Sequence, residues 1–271
     1  MFAATLLCQV LLATAAFAIP TSKERFAQRA ARRAAGLAHQ SQPKALSEGI
    51  HQADNLITNT SHVEYSSNWA GAVLVASTAT YKSVTGTFTV PTPKEPSGGS
   101  GTHSASAWVG IDGDTCGNAI LQTGVDFTVS GSSVSYDAWY EWYPDYAYDF
   151  SGISFSAGDS VTVTVTATSK TGGSVTIKNN TKGKTVSHTF SGQPALCEYN
   201  AEWIVEDFES GGSLVPFANF GTVTFTGASA GLVSGGTAGP SGSTLIDIEQ
   251  NNKVLTSVST GSSSVTVSYT G

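Results

Sequence analysis

The sequence predicts an all-β fold, a single large sandwich or jelly roll of about a dozen strands. Three observations predict it. From Tyr65 to the C-terminus, short runs rich in Val, Thr, Phe, Tyr and Trp are separated by Gly, Ser, Asn and Pro. SVTVTVTAT (160–168) alternates polar and apolar residues without a break, and SVTIKNN, TVSHTF, TVTFTG and SVTVSYT largely do the same, the period-two mark of a strand with one wet and one dry face. No stretch beyond the N-terminal leader has a helical period, so nothing suggests βαβ units, and roughly 200 residues suffice to bury a core.

The elements follow in chain order. Phe2 to Phe17 is apolar and uncharged and stops at Ala16-Phe17-Ala18, the small-x-small pattern of signal-peptidase cleavage, although the usual positive n-region is missing. The run is too short to span a bilayer comfortably. Residues 1–18 are therefore expected to be a signal peptide, and the protein to be secreted and extracellular. Residues 19–60, with a boundary that extends to about 64, differ in composition: Lys23, Arg25, Arg29, Arg32, Arg33 and Lys44 stand among alanines at helix-compatible spacing. From Ser61 onward there is no arginine, and seven lysines face 17 acids. A basic leader before an acidic body reads as a removable pro-segment held by opposite charge and loosened when the carboxylates protonate; a disordered basic linker is the alternative.

The body, residues 61–271, is one domain. Its shortage of cations limits self-repulsion in acid, where every carboxylate is neutral, which suits a protein that works at low pH. The same shortage argues against nucleic acid as a partner. Cys8 leaves with the signal peptide, so Cys116 and Cys197 remain as one candidate pair in an oxidising compartment. Asn59-Thr60-Ser61 and Asn179-Asn180-Thr181 are glycosylation acceptors.

Three strands carry the candidate chemistry. YDAWYEWYPDYAYDF (136–150) puts Trp139, Glu141 and Tyr143 on one face and Tyr140 and Trp142 on the other. Either this strand is covered on both sides, or one face is an aromatic wall that grips an extended polymer. In AILQTGVDF (119–127), Gln122 shares a face with Ile120, Gly124 and Asp126. An uncharged amide thus stands where a core favours Val or Leu, and it needs partners whether its role is structural or functional. In EWIVEDFESGG (202–212), Glu202, Ile204 and Glu206 share a face. Four residues of strand span roughly 13 Å, so Glu202 and Glu206 do not meet as an acid pair, and at most one serves a given reacting centre.

Other chemistries find little support. Scattered histidines without HExxH or CxxC give no metal site, and no cofactor is expected. GASAG (227–231) spells GxSxG around Ser229, but LVSGGTAGPSG after it cannot form the helix of a nucleophile elbow, so it reads as a small-residue turn. Paired Asp-Thr-Gly or Asp-Ser-Gly turns are absent. Carboxylate chemistry on a β scaffold remains, glycoside hydrolysis included.

YSSNWAGAVL, ASAWVGIDGDT, AILQTGVDF, YDAWYEWYPDYAYDF, NAEWIVEDF and FGTVTFTGA together closely resemble the fungal glutamic peptidases, the eqolisins, from about Tyr65 to the C-terminus. The resemblance implies an antiparallel β-sandwich of two long, curved sheets like the legume lectins. It implies a catalytic pair of Gln122 and Glu206, with Glu202 as the alternative acid. It also implies a cleft wall of Trp69, Trp108, Glu141 and Tyr143 and a disulfide between Cys116 and Cys197; Asp112 and Asp126, beside these motifs, are read as structural. A glutamate near its unperturbed pKa of about 4.3 cycles its proton readily in acid. The expected function is a secreted, pepstatin-insensitive acid endopeptidase, a monomer acting on proteins and peptides. Its own pro-segment is the expected inhibitor, and neither membrane nor nucleic acid is an expected partner. The competing reading is a secreted carbohydrate-binding or glycoside-hydrolysing sandwich, which for hydrolysis needs a second acid, Glu141, across from Glu206.

Overall fold

The computed structural model describes residues 39–47 and 63–271. The signal peptide (1–18), Asn59 and most of the leader lie outside the described residues. In chain order the strands are β1 (His39–Gln40), β2 (Val63–Ser66), β3 (Trp69–Val75), β4 (Tyr81–Thr89), β5 (Thr102–Ile111), β6 (Ile120–Ser130), β7 (Ser133–Tyr143), β8 (Tyr148–Asp149), β9 (Ser160–Ser169), β10 (Gly172–Asn179), β11 (Lys184–Phe190), β12 (Asn200–Glu206), β13 (Glu209–Ser210), β14 (Thr222–Leu232), β15 (Thr237–Ala238), β16 (Thr244–Gln250), β17 (Lys253–Val254), β18 (Thr256–Thr260) and β19 (Ser264–Tyr269). Among the described residues there is no helix.

Two large sheets form. One runs β11-β10-β9-β4-β14-β19-β18, with β15 on β14; the other runs β17-β16-β3-β12-β5-β6-β7-β8, with β2 on β16. Pairing is antiparallel throughout except between β2 and β16. A small third sheet joins β1 to β13.

The core lies between the two large sheets and follows from alternation. Val161, Val163 and Val165 of β9 are buried, while the threonines between them are part-exposed. They meet Val109 of β5, Leu121 and Val125 of β6, Trp142 of β7, and Trp203 and Val205 of β12. Truncating one such buried Trp or Phe to Ala costs about 3–5 kcal/mol. Trp203 also pins the sheets together through its polar end, donating from Nε1 to the Thr85 carbonyl at 2.8 Å. The outer face of the first sheet is finished with hydroxyl pairs, Thr85 with Thr164 at 2.8 Å and Thr87 with Thr162 at 2.7 Å, which leave it polar without charge at any pH.

Three sequence expectations change. GASAG is not a turn: residues 227–231 lie inside β14, where the ladder to β4 shifts register between Thr226 and Ser229. Only the backbone irregularity survives of the small-residue signal. Asn179 is buried and donates from Nδ2 to Asp159 at 2.8 Å and to the Ser154 carbonyl at 3.0 Å; in the folded chain its amide is closed to glycosylation. EWIVEDFESGG is also not one strand, since β12 ends at Glu206 and Glu209 begins β13.

Candidate active site

The second sheet has a second buried face, turned away from the sandwich core. Residues paired across an antiparallel ladder point the same way. The register therefore puts Trp69, Trp108, Gln122, Glu141, Glu202 and Glu206 on this one face. Trp69, Val73, Trp108, Ile120, Trp139, Ile204 and Ile246 form there a cluster separate from the main core, with Tyr143 packed against it. Tyr140 and Trp142 point the other way, toward the first sheet. β7 is thus covered on both sides, by the first sheet on one face and by the second cluster and residues 39–41 on the other.

Local sequence makes this face possible. Gly124 pairs with Trp108, and a Cβ there would lie 2.5 Å from the Trp108 Cβ; the missing side chain makes room for the indole. Trp108 meets Trp69 edge to face with centroids 5.0 Å apart. Its Nε1 donates to Glu206 Oε2 at 2.8 Å. The strands bearing Gln122 and Glu206 are tied together at one end: Cys116 and Cys197 form a disulfide. Beside it, Asp112 accepts backbone N–H groups from Glu198 and Tyr199 at 2.8 Å each and from Asn200 at 3.2 Å. Asp112 is structural, as expected. Among the described residues it forms the one His/Cys/Asp/Glu cluster of metal-ligating spacing, with Cys116 and Cys197. That cluster is already spent on the disulfide and the backbone bonds.

The ladder rows separate the candidates. Gln122 pairs with Gly110 on one side and Glu141 on the other, and Gly110 pairs in turn with Glu202. Glu206 pairs with Ser106 and Trp69. Gln122 and Glu206 are thus two strands and four residues apart in the ladder, with Trp108 between. Both ends of the Gln122 amide are buried without a protein hydrogen-bond partner, as are both oxygens of Glu202.

Residues 39–47 lie along this face. The Gln42 N–H donates to Glu206 Oε1 and the Ser41 N–H to Glu141 Oε2, each at 3.1 Å, so two carboxyls grip neighbouring amides of one extended segment. Trp69 Nε1 donates to the Gln42 carbonyl at 3.0 Å. His39 lies 2.7 Å from Asp126 Oδ2 and stacks on Phe208 at 4.1 Å between centroids. Lys44 pairs with Glu64 at 2.6 Å and with Asp114. Asp126, expected to be structural, is therefore a cleft residue that holds a leader side chain. His39, Ser41, Gln42 and Phe208 went unseen in the sequence, because no periodicity marks an extended segment that packs on another element.

Burial dominates the electrostatics here. It pushes Glu206 up to about 7 against the pull of the Ser41 hydroxyl, the His39 charge, the Gln42 N–H and the Trp108 indole. It raises Glu141 well above the usual carboxylate range, with the Ser41 N–H opposing. Asp207 is driven by burial to about 8, against a hydrogen bond from Gln250, with Glu206 raising it further. Burial alone would lower His39, but the Asp126 carboxylate outweighs it and its pKa rises. The expectation of a glutamate near its unperturbed pKa is thus not met, because Glu206 is fully buried, with Gln42 packed on its carboxyl.

The face therefore combines an ionisable carboxyl that touches a backbone N–H, an uncharged amide able to donate and accept, and aromatic walls along an extended peptide. Residues 67–269 match the Peptidase A4 family, and the chain belongs to that family; it is a glutamic peptidase. It is 54% identical to aspergillopepsin-2 of Aspergillus niger, over 98% of both chains. It is 41% identical to scytalidopepsin B of Scytalidium lignicola, again over 98% of both. Among solved structures it resembles scytalido-glutamic peptidase bound to a transition-state analogue inhibitor, with TM-score 0.69 and 43% identity over 75% of this chain and 98% of that one. It also resembles the aspergilloglutamic peptidase of A. niger, with TM-score 0.60 and 64% identity over 62% and 99%. The family resemblance and the β-sandwich expected from sequence are borne out, and the carbohydrate reading gives way to peptide hydrolysis.

Proposed function

We propose that the protein is a secreted acid endopeptidase, made as a zymogen, in which Glu206 and Gln122 activate a water molecule. Glu206 as carboxylate takes a proton from that water, and the hydroxide attacks the scissile carbonyl carbon. Gln122 donates from its NH2 to the developing oxyanion while its own carbonyl helps to hold the water. The protonated Glu206 then passes its proton to the leaving nitrogen, the C–N bond breaks, and a carboxylic acid and an amine result. A glutamine suits this task because it donates and accepts yet never ionises.

The observation that carries the reading is the Gln42 N–H on Glu206 Oε1, which supports Glu206 as the carboxyl that meets a backbone nitrogen of a bound extended peptide. Glu202 makes no hydrogen bond to residues 39–47, which favours Glu206 over it as the acid. The same contacts make the leader an inhibitor lying in the substrate's place. Acid lowers the negative charge of the body that attracts the basic leader, the segment leaves, and water returns to Glu206. Its pKa then falls toward the ordinary carboxylate range as desolvation is relieved.

The test is acid incubation of the purified full-length chain with no added protease, followed by cleavage of a denatured protein. Loss of the leader and cleavage resistant to EDTA and to statine inhibitors are expected, with Gln122→Ala and Glu206→Gln each folded but inactive. Full activity in either variant refutes the dyad, and loss with EDTA points to a metal instead.

A further inference from the structure

Glu202 is a buried acid that the proposed chemistry does not use. It is fully buried, and neither of its oxygens has a protein partner. An unpaired buried polar group is costly, so one in a well-packed sheet calls for a role or a bridging water.

Its orientation is set by Gly110. A Cβ on Gly110 would lie 2.6 Å from Glu202 Oε1 and 2.8 Å from Trp108 Cζ3. The Glu202 side chain therefore leans from β12 across β5 into the space that the glycine leaves open. The next residue in that row is Gln122, the direct cross-strand partner of Gly110. Cross-strand Cβ atoms stand about 4.5–5.5 Å apart, so the Glu202 carboxyl, over Gly110, stands about one strand spacing from the Gln122 side chain, whose amide oxygen and nitrogen are also buried and unpartnered. Two unsatisfied groups of complementary chemistry thus share one row with only a glycine between them.

We infer that Glu202 is the positioning residue for Gln122: its carboxylic acid donates a hydrogen bond to a bridging water that donates in turn to the amide carbonyl, and so fixes which end of the amide faces the substrate. The inference rests on Gln122 being the oxyanion donor proposed above. Only the protonated acid can donate, and the surroundings keep it protonated. Burial raises the Glu202 pKa well above the usual range, and the nearby Asp112 and Asp114 charges raise it further. The other charged groups about this row are Glu141, across Gln122 on β7, and Lys44 of the leader, which neutralises Asp114. Without the bond the amide can flip, presenting its carbonyl oxygen to the oxyanion.

Removing one oxyanion donor costs about 10²–10³ in kcat, so losing its orientation is expected to cost roughly 10–100-fold. The test compares Glu202→Gln, which keeps a donor of the same shape, with Glu202→Met, which does not. Both are prepared as full-length chains and brought to the mature form with immobilised wild-type enzyme that is then removed. Glu202→Met is expected to melt like wild type and to lose kcat by at least about tenfold with KM nearly unchanged. Glu202→Gln should retain most of kcat. Wild-type kcat in Glu202→Met, or an equal loss in Glu202→Gln, overturns the inference. If Glu202→Met does not fold, the side-chain amide NMR signals of Gln122 decide: they are expected to shift on Glu202→Gln, and unmoved signals overturn it. If Gln122→Ala itself leaves kcat intact, the dyad has failed; if it abolishes kcat while Glu202→Met does not, only the role of Glu202 has.

Discussion

Glu206 is held by burial, which favours its proton, and by donors, which favour its charge. The Trp108 indole at 2.8 Å is the donor built into the domain itself, since Ser41, Gln42 and His39 belong to the leader. Trp108→Phe keeps the ring in its cluster and removes that donor. The Glu206 pKa then rises, fewer molecules carry the carboxylate in acid, and the acid limb of the pH–rate profile moves to higher pH. A drop of about tenfold in kcat/KM on that limb is expected, corresponding to one hydrogen bond to a charged group. A limb that does not move would make the indole a packing group only. Sequence alone found Gln122 as an odd amide in an apolar row, but alternation could not separate Glu202 from Glu206, which lie on the same face of one strand. Their separation depends on Gly110 and Ser106 of another strand.

At the scale of the element, residues 39–47 act as a strap across the second sheet. They are held by backbone bonds to Glu206 and Glu141 and by two charged anchors, His39 on Asp126 and Lys44 on Glu64 and Asp114. The anchors explain how a basic leader finds an acidic body. His39→Ala combined with Lys44→Ala should let the leader go at higher pH than in the wild-type chain. The check is the pH at which residues 39–47 become open to limited proteolysis in the intact, inactive Glu206→Gln chain; an unchanged opening pH would assign the hold to the backbone bonds alone. The charge contrast between leader and body was legible as composition. The path of the strap was not, because an extended segment takes its course from the surface that it covers.

For the whole molecule, buried acids set the direction of the pH dependence. In the folded chain Glu206 holds its proton to about 7 and Asp207 to about 8, and Glu141 and Glu202 are displaced in the same direction. In the unfolded chain each releases it near the ordinary value of about 4. Between those limits the unfolded state binds fewer protons than the folded one, so stability falls as pH rises from about 4 to about 8 and is greatest below that window. A full-length Glu206→Gln chain, which cannot process itself under the proposed dyad, retains the terms from Asp207, Glu141 and Glu202. Its melting temperature should be at least about 5 °C lower at pH 7.5 than at pH 4. A melting temperature that rises over that interval would mean that these acids ionise without cost. The low cation count acts in the same direction, limiting the repulsion that unfolds most proteins in acid.

The sequence by itself determined the strands, their inward valines and tryptophans, the charge contrast between leader and body, and the motifs that mark a glutamic peptidase. These are properties of residues close together in the chain, where a period of two assigns each side chain to a face without reference to the rest of the molecule. Only the tertiary structure decided that Gln122 shares its row with Glu202 and Glu141, that Asp126 grips His39, and that Asn179 is sealed inside. Those facts depend on the register between strands as many as 100 residues apart in sequence, and register follows from the packing of whole sheets rather than from any local pattern.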